Sequence, residues 1–168
     1  RSHYEVNYNR ITTDDYAINI IGNSSKDIDP GLISGIGSVI KYHSPTTKII
    51  GVSAINSGAL AASIKLGSVC ETAHFDTLAD GCAGGIDEGT LTLPIATEVT
   101  DSVIECTEEQ IVEAIKILAW NENLMVEGSA ALALAGFMQE KQIKKDERNL
   151  VLLCGGNFDK NIILSILN

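Results

Sequence analysis

The sequence predicts an α/β fold, an open and mostly parallel sheet with flanking helices. Three observations carry that expectation. Short strand-like runs alternate along the chain with stretches of helical spacing. The runs Lys48–Val52 and Asn149–Cys154 are almost wholly apolar instead of alternating, as strands covered on both faces are. The last run ends on a small side chain and two glycines, Cys154-Gly155-Gly156, a turn that lets backbone approach a ligand where a parallel strand ends.

Taken in order, the first sixteen residues mix polar and aromatic side chains without a sustained period and receive no assignment. Tyr16–Ile21 reads as a strand, and Gly22–Asp29, rich in Ser, Asn and Asp, as a loop. Leu32–Tyr42 carries Ile33, Ile36, Val39 and Ile40 at helical spacing, which completes a strand-loop-helix unit. Lys48–Val52 is a second strand. Leu60–Leu66 belongs to a short alanine-rich helix opening near Asn56 or Ser57, both acceptable caps. Between Gly67 and Thr100 there are five glycines and no long period; so long a connection in a compact domain points to a functional segment. Ser102–Cys106 resumes as a strand, and Thr107-Glu-Glu-Gln110 has the spacing of a capping box. The helix it opens sets Ile111, Ile115 and Leu118 on one face and exits near Asn121. Residues 128 to 140 form another helix, whose Ser129-Ala-Ala-Leu-Ala-Leu-Ala-Gly136 turns are small enough to lie close against a sheet or a cofactor.

At 168 residues and 45% hydrophobic content the chain can bury one sizeable core. No apolar stretch approaches the roughly 20 residues that cross a bilayer, and the first residues lack the apolar stretch of a signal peptide. A soluble, cytoplasmic protein is expected. The cysteines at 70, 82, 106 and 154 form no CxxC pair and no metal-finger spacing, so reduced thiols are expected. A formal net charge of -10 argues against nucleic acid or an anionic membrane as the main partner. The one basic cluster, Lys141–Arg148, is interrupted by Asp146 and Glu147 and reads as the solvated end of a helix.

Asp27-Ile-Asp-Pro-Gly-Leu-Ile-Ser-Gly-Ile-Gly37 puts glycines at a loop-to-helix junction, where free N–H groups and the helix dipole favour an anion such as phosphate. Its spacing is neither a Walker loop nor Gly-x-Gly-x-x-Gly, and close packing of the helix on the sheet explains the same glycines. The histidines at 3, 43 and 74 have no acidic or thiol neighbour in a catalytic spacing and read as surface residues. Gly-x-Ser-x-Gly is absent, which removes the support for an α/β-hydrolase.

Five blocks, in order, resemble the serine/threonine dehydratases (threonine ammonia-lyases), fold-type II pyridoxal-phosphate enzymes. They are Gly31-Leu-Ile-Ser-Gly-Ile-Gly-Ser-Val-Ile-Lys41, Lys48-Ile-Ile-Gly-Val52, Leu78-Ala-Asp-Gly-Cys-Ala-Gly-Gly-Ile86, Val126-Glu-Gly-Ser-Ala-Ala-Leu-Ala-Leu-Ala135 and Leu153-Cys-Gly-Gly-Asn157. The resemblance covers residues 28 to 168, leaves 1 to 27 as an unassigned N-terminal segment, and implies the large cofactor domain of that architecture. By position it implies that Gly31, followed by Leu32, ends a tetraglycine loop around the cofactor phosphate. It sets Gly81 and Glu127 beside the cofactor and makes Cys154 the partner of the pyridine nitrogen. Ile28, Asp29 and Pro30 occupy the other glycine places, so one N–H is lost and a carboxylate sits where phosphate should bind. Relatives hold a cation with acidic side chains where this chain has Ser53 and Ala59, so no metal is expected.

The family's Schiff-base lysine, in a Ser-Phe-Lys-x-Arg-Gly setting, and its Ser-x-Gly-Asn-like substrate loop have no counterpart here. Only Lys26 lies near the presumed site, and the catalytic residue is unknown. The resemblance therefore implies a lyase that removes water from a hydroxy amino acid to give a 2-oxo acid and ammonia, met here as a fragment or incomplete form. The expected partners are a small amino-acid substrate and either a second copy of the chain or the missing N-terminal part. Ser53 is closer to the pattern of hydroxyectoine-utilisation dehydratases, which leaves serine, threonine or a hydroxyectoine-derived amino acid as substrates. The alternative is a catalytically silent binding or regulatory subunit that keeps the fold.

Overall fold

A computed structural model of the protein describes the backbone of residues 16–21 together with residues 30–140 and 148–168. The segment 1–15, the loop expected over Gly22–Asp29 and the basic cluster from Lys141 to Glu147 lie outside the described residues.

Four strands, β1 (Tyr16–Ile21), β2 (Lys48–Ala54), β3 (Ser102–Cys106) and β4 (Arg148–Val151), form one sheet in the order β3-β2-β1-β4. Every pairing is parallel, with Ile18 opposite Ile49 and Leu150, and Val52 opposite Ile104. The α/β fold with a parallel sheet is as the sequence predicts. Helices α1 (Gly31–His43), α2 (Ala59–Leu66), α3 (Thr92–Val99), α4 (Glu108–Asn121), α5 (Gly128–Gln139) and α6 (Lys160–Leu167) fill the connections and the end.

From β1 to β3 the chain steps across the sheet one way, and from β3 to β4 it steps back past β1. Right-handed crossovers then require helices on both faces. The packing agrees: α1, α2 and α3 group together, while α5 touches every strand and carries α4 on its other side. Val52, Ala54 and Cys106 pack with the α5 and α4 side chains Ala131, Leu132, Ile111 and Leu118 in the larger core. Ile33, Ile40, Ile49 and Ala96 form the smaller core on the opposite face. Each fully buried Ile or Leu here contributes roughly 1.5–3 kcal/mol.

Several expectations need correction. Val39 is 60% exposed, so the buried stripe of α1 is Ile33, Ser34, Gly37 and Ile40. A Cβ on Gly37 would press on the Val99 side chain at 2.5 Å, so this glycine serves helix-helix packing with α3, not helix-sheet packing. Neither Asn56 nor Ser57 caps α2; both lie in a 3₁₀ turn, Ile55–Ser57, that precedes it. The glycine-rich stretch contains α3, whose Leu93, Ala96 and Val99 are buried. The final strand ends at Val151, not at Cys154, and α6 follows it. The capping box is present: Gln110 N–H donates to Thr107 Oγ1 at 3.4 Å, and Thr107 N–H to Gln110 Oε1 at 2.9 Å.

Asp101 marks the amino-terminal edge of the sheet. Its Oδ2 accepts from Ile49 N–H and from Lys41 Nζ, each at 2.6 Å, tying the end of α1 to the start of β2. The N-terminus of α1 therefore lies at the opposite, carboxyl edge.

Candidate functional site

The strand order reverses between β1 and β4, and open parallel sheets bind ligands outside the carboxyl ends of strands at such a switch point. Two described segments adjoin it: the start of α1 at Gly31, and residues 152–159 after β4. At the start of α1, buried Pro30 holds the cap position without a side-chain cap bond. The N–H groups of Gly31, Leu32 and Ile33 have no intrahelical acceptor, since the first helical bond is Ser34 N–H to Pro30 O at 3.0 Å. Asp29 lies outside the described residues.

The loop after β4 is held to the N-terminus of α5. Asn157 N–H donates to Glu127 Oε2 at 2.8 Å, and Glu127 N–H reaches Gly155 O at 3.5 Å. Gly155 has φ +133°, and a Cβ on it would collide with the Glu127 carboxylate, so only glycine lets the loop pass so close. A third segment arrives from the glycine-rich stretch. In its short turn, Asp80–Cys82, a Cβ on Gly81 would come 2.7 Å from Ser129 Oγ and 3.6 Å from Glu127 Oε1. Gly81, Glu127 and the Cys154-Gly155 loop thus meet around one carboxylate. Cys154 is exposed instead of ending a buried strand. Gly31 and Leu32 share the carboxyl edge but belong to α1.

Sequence reasoning missed what fastens the 74–84 segment. Asn56 O accepts from Phe75 N–H at 2.8 Å while Asn56 Nδ2 donates to Asp76 O at 2.7 Å. Ser57 Oγ pairs with His74 Nδ1 at 2.8 Å and accepts from Gly84 N–H at 3.0 Å, so the exposed His74 is anchored. Glu108 Oε2 accepts from Leu78 N–H at 2.8 Å. The signal for this segment was its glycine content; nothing in the sequence named Asn56, Ser57 or Glu108 as its fasteners.

A cavity of about 370 Å³ adjoins this arrangement. Its apolar wall includes Ile115, Ile163 and Ile166, and its polar wall includes Asp76, Asp80, Glu127 and Asp159. Of the five residues implied as cofactor ligands, Glu127 alone lines it.

Burial pushes the Cys82 thiol up to about 12; the Ser129 hydroxyl opposes the shift, and Glu127, Asp80 and Cys154 add to it. Burial likewise raises Cys106 to about 11. Both thiols are neutral in the folded protein well above the pH, near 9, at which an unfolded thiol ionises. Above pH 9 the unfolded chain binds fewer protons than the folded one, so stability is full below pH 9 and falls as pH rises toward 11–12. Each thiol contributes at most about 1.4 kcal/mol per pH unit. Urea midpoints at pH 8 and pH 10.5 should differ, and Cys106→Ala should flatten the dependence; an unchanged slope in that variant would refute the assignment.

Pyridoxal phosphate can be tested against these residues. The N–H groups opening α1, which have no acceptor within the helix, suit a phosphate, while Gly81 and Gly155 are packed against Ser129 and Glu127. The described lysines offer no anchor in this cluster. Lys41 pairs with Asp101 at 2.6 Å and Lys65 with Glu105 at 2.5 Å, Lys48 opens β2 at the other edge, and Lys116 and Lys160 are exposed on helices. Lys26 lies outside the described residues. At the family's cation position, Ser53 Oγ donates to Ser57 O at 3.5 Å and Ala59 is fully buried, so neither supplies a carboxylate.

Comparison with known proteins matches residues 30–155 to the family described as pyridoxal-phosphate dependent enzyme. The chain is 33% identical over 138 residues to an L-threonine ammonia-lyase of Thermotoga maritima, covering 82% of this chain and 34% of that protein. It is also 33% identical to the catabolic L-threonine dehydratase TdcB of Escherichia coli, covering 81% and 42%. Among solved structures, the processed form of threonine deaminase isoform 2 from Solanum lycopersicum superposes with a TM-score of 0.78 at 27% identity, covering 92% of this chain and 44% of that one. Serine racemase from Dictyostelium discoideum gives 0.73 at 29%, covering 89% and 46%. The chain thus spans less than half the length of each of these relatives. With the family matched over most of the described residues, and threonine dehydratases recurring in both comparisons, the chain belongs to the pyridoxal-phosphate-dependent enzymes of fold type II, in the serine/threonine dehydratase family.

Proposed function

We propose that this chain is the cofactor-domain portion of a dehydratase-like lyase that removes water from a small hydroxy amino acid, yielding a 2-oxo acid and ammonia. The observation that carries the reading is the meeting of Gly81, Glu127 and the Cys154-Gly155 loop beside the β1/β4 switch point, in the order the family uses them. When bound, pyridoxal phosphate supplies a sink for the electron pair released at the substrate α-carbon. In this reading Gly31 and Leu32 would offer N–H groups to its phosphate, and Gly81, Glu127 and Cys154 would hold its ring. Glu127, pinned by the Asn157 N–H, keeps its carboxylate aimed past Gly155. The dehydratase-like domain is taken as residues 28–168, with β1 from the preceding segment completing its sheet. Serine racemases among the structural neighbours support the same cofactor architecture while leaving substrate and reaction outcome wider. A homo-oligomer, or assembly with the remainder of a longer enzyme, and a cytoplasmic setting belong to the proposal.

The test has two arms. Mixed with pyridoxal phosphate, reduced with borohydride and weighed by mass spectrometry, the 168-residue chain should carry no lysine adduct. A stoichiometric adduct would mean that one of its own lysines replaces the family's. In the second arm, changing Asp29 and Pro30 to glycine should tighten reversible binding of the cofactor about fivefold or more. That removes a like charge worth about 1 kcal/mol at ~4 Å in water and restores an N–H donor. No gain would mean that the Gly31 loop does not hold the phosphate.

A further inference from the structure

The dehydratase reading touches the cavity only through Glu127: Gly31, Leu32, Gly81 and Cys154 all lie outside its lining. Its volume, about 370 Å³, falls within the range of small-molecule sites. Its floor is hydrocarbon: Ile115, Ile163 and Ile166 are 3%, 4% and 9% exposed. Around that floor stand four carboxylates, and none of the described lining residues is Lys, Arg or His.

Three of these carboxylates are fixed by backbone N–H groups that orient them without cancelling their charge. Asp159 Oδ1 accepts from Asn161 and Ile162 at 2.7 and 3.2 Å, Asp80 Oδ1 from Gly81 at 2.8 Å, and Glu127 Oε2 from Asn157 at 2.8 Å. The fourth, Asp76, is exposed, with its backbone held by Asn56. Phe75 and Phe158 also line the space, and phenyl faces attract cations. A charge-poor floor beneath oriented negative charges is complementary to one chemistry, an apolar body ending in a positive group. It disfavours α-amino acids, whose carboxylate would meet four others beside a low-dielectric wall.

We propose that this cavity binds an organic ammonium ion, an amine with an apolar body and no carboxylate, at a site that shares only Glu127 with the proposed cofactor contacts. The proposal goes beyond the dehydratase reading and stands without it.

Phenethylamine is the probe, with 3-phenylpropionate as its charge-reversed counterpart and phenylalanine as its carboxylated one. Calorimetric titration of the full chain at low salt should find phenethylamine bound at least tenfold more tightly than phenylalanine, with no measurable heat from phenylpropionate. Raising the salt to about 0.5 M should weaken the amine several-fold. Asp76→Asn should weaken it about threefold or more, and Ala83→Leu, which fills the cavity without changing charge, should remove it. Methyl NMR shifts at Ile163 and Ile166 on adding the amine to the unaltered protein locate the binding independently of any variant's folding. Absence of phenethylamine binding, equal binding of phenylpropionate, or binding without shifts at those methyls would overturn the proposal. Because none of these readouts involves pyridoxal phosphate, failure here leaves the dehydratase reading untouched, and the converse holds.

Discussion

Gly128→Ala is expected to destabilise the protein by about 3 kcal/mol or more and to lower its Tm by roughly 10 °C. On helix propensity alone alanine is the better residue by up to ~1 kcal/mol. At this position, however, the added Cβ would run into the backbone carbonyl of Leu78, which no rotamer change can move aside. Either α5, whose first nine residues are all buried, must shift from the sheet, or the Leu78–Cys82 turn must lift away from Glu127. Urea or thermal unfolding followed by circular dichroism reads the loss. A variant as stable as the parent would mean that the turn does not rest on α5 in solution.

Gly155→Ala is the second large effect, and it should fall more on the site than on the fold. Two costs act together: a backbone at φ +133°, which side chains other than glycine rarely adopt at a cost of about 1–2 kcal/mol, and a Cβ directed into the Glu127 carboxylate. Tm should fall by a few degrees, while retention of pyridoxal phosphate in equilibrium dialysis should drop at least tenfold. Glu127→Ala in the same chain removes the collision but not the backbone strain. The double variant should therefore be more stable than the sum of the single losses requires, by roughly 1 kcal/mol. Strict additivity would show that Glu127 does not occupy the space beside Gly155.

Much of this was legible in the residues, and the failures have physical causes. The capping box at Thr107 announced α4 because both of its reciprocal bonds come from side chains within four residues. Helix α3 announced nothing: it is eight residues long, begins without a side-chain cap, contains Pro94, and is held by tertiary burial of Leu93, Ala96 and Val99. The run Leu150 to Leu153 reads as one strand because its side chains pack in both cores, Leu150 and Leu152 in one and Val151 and Leu153 in the other. Yet pairing with β1 stops at Asn19 and Val151, so the ladder ends before the apolar pattern does. At the site, sequence order could single out Gly81, Glu127 and Cys154. It could not reveal that a single carboxylate is their common neighbour, because the carbonyl of Leu78 and the amide of Asn157 approach α5 only in three dimensions.

The placement of β1 between β2 and β4 has a consequence for how the chain is made. Tyr16 pairs with Arg148, so as the polypeptide leaves the ribosome β1 can join β2 early but must wait, one flank open, for almost everything else to emerge. Parallel pairings of such sequence separation form slowly, and an unpaired edge is a template for other nascent chains. Among the described residues, the same pairing that covers the second flank of β1 also delivers Cys154 and Gly155 to Glu127. Cover for the inner strand and the contact of the Cys154-Gly155 loop with Glu127 thus come about in one step.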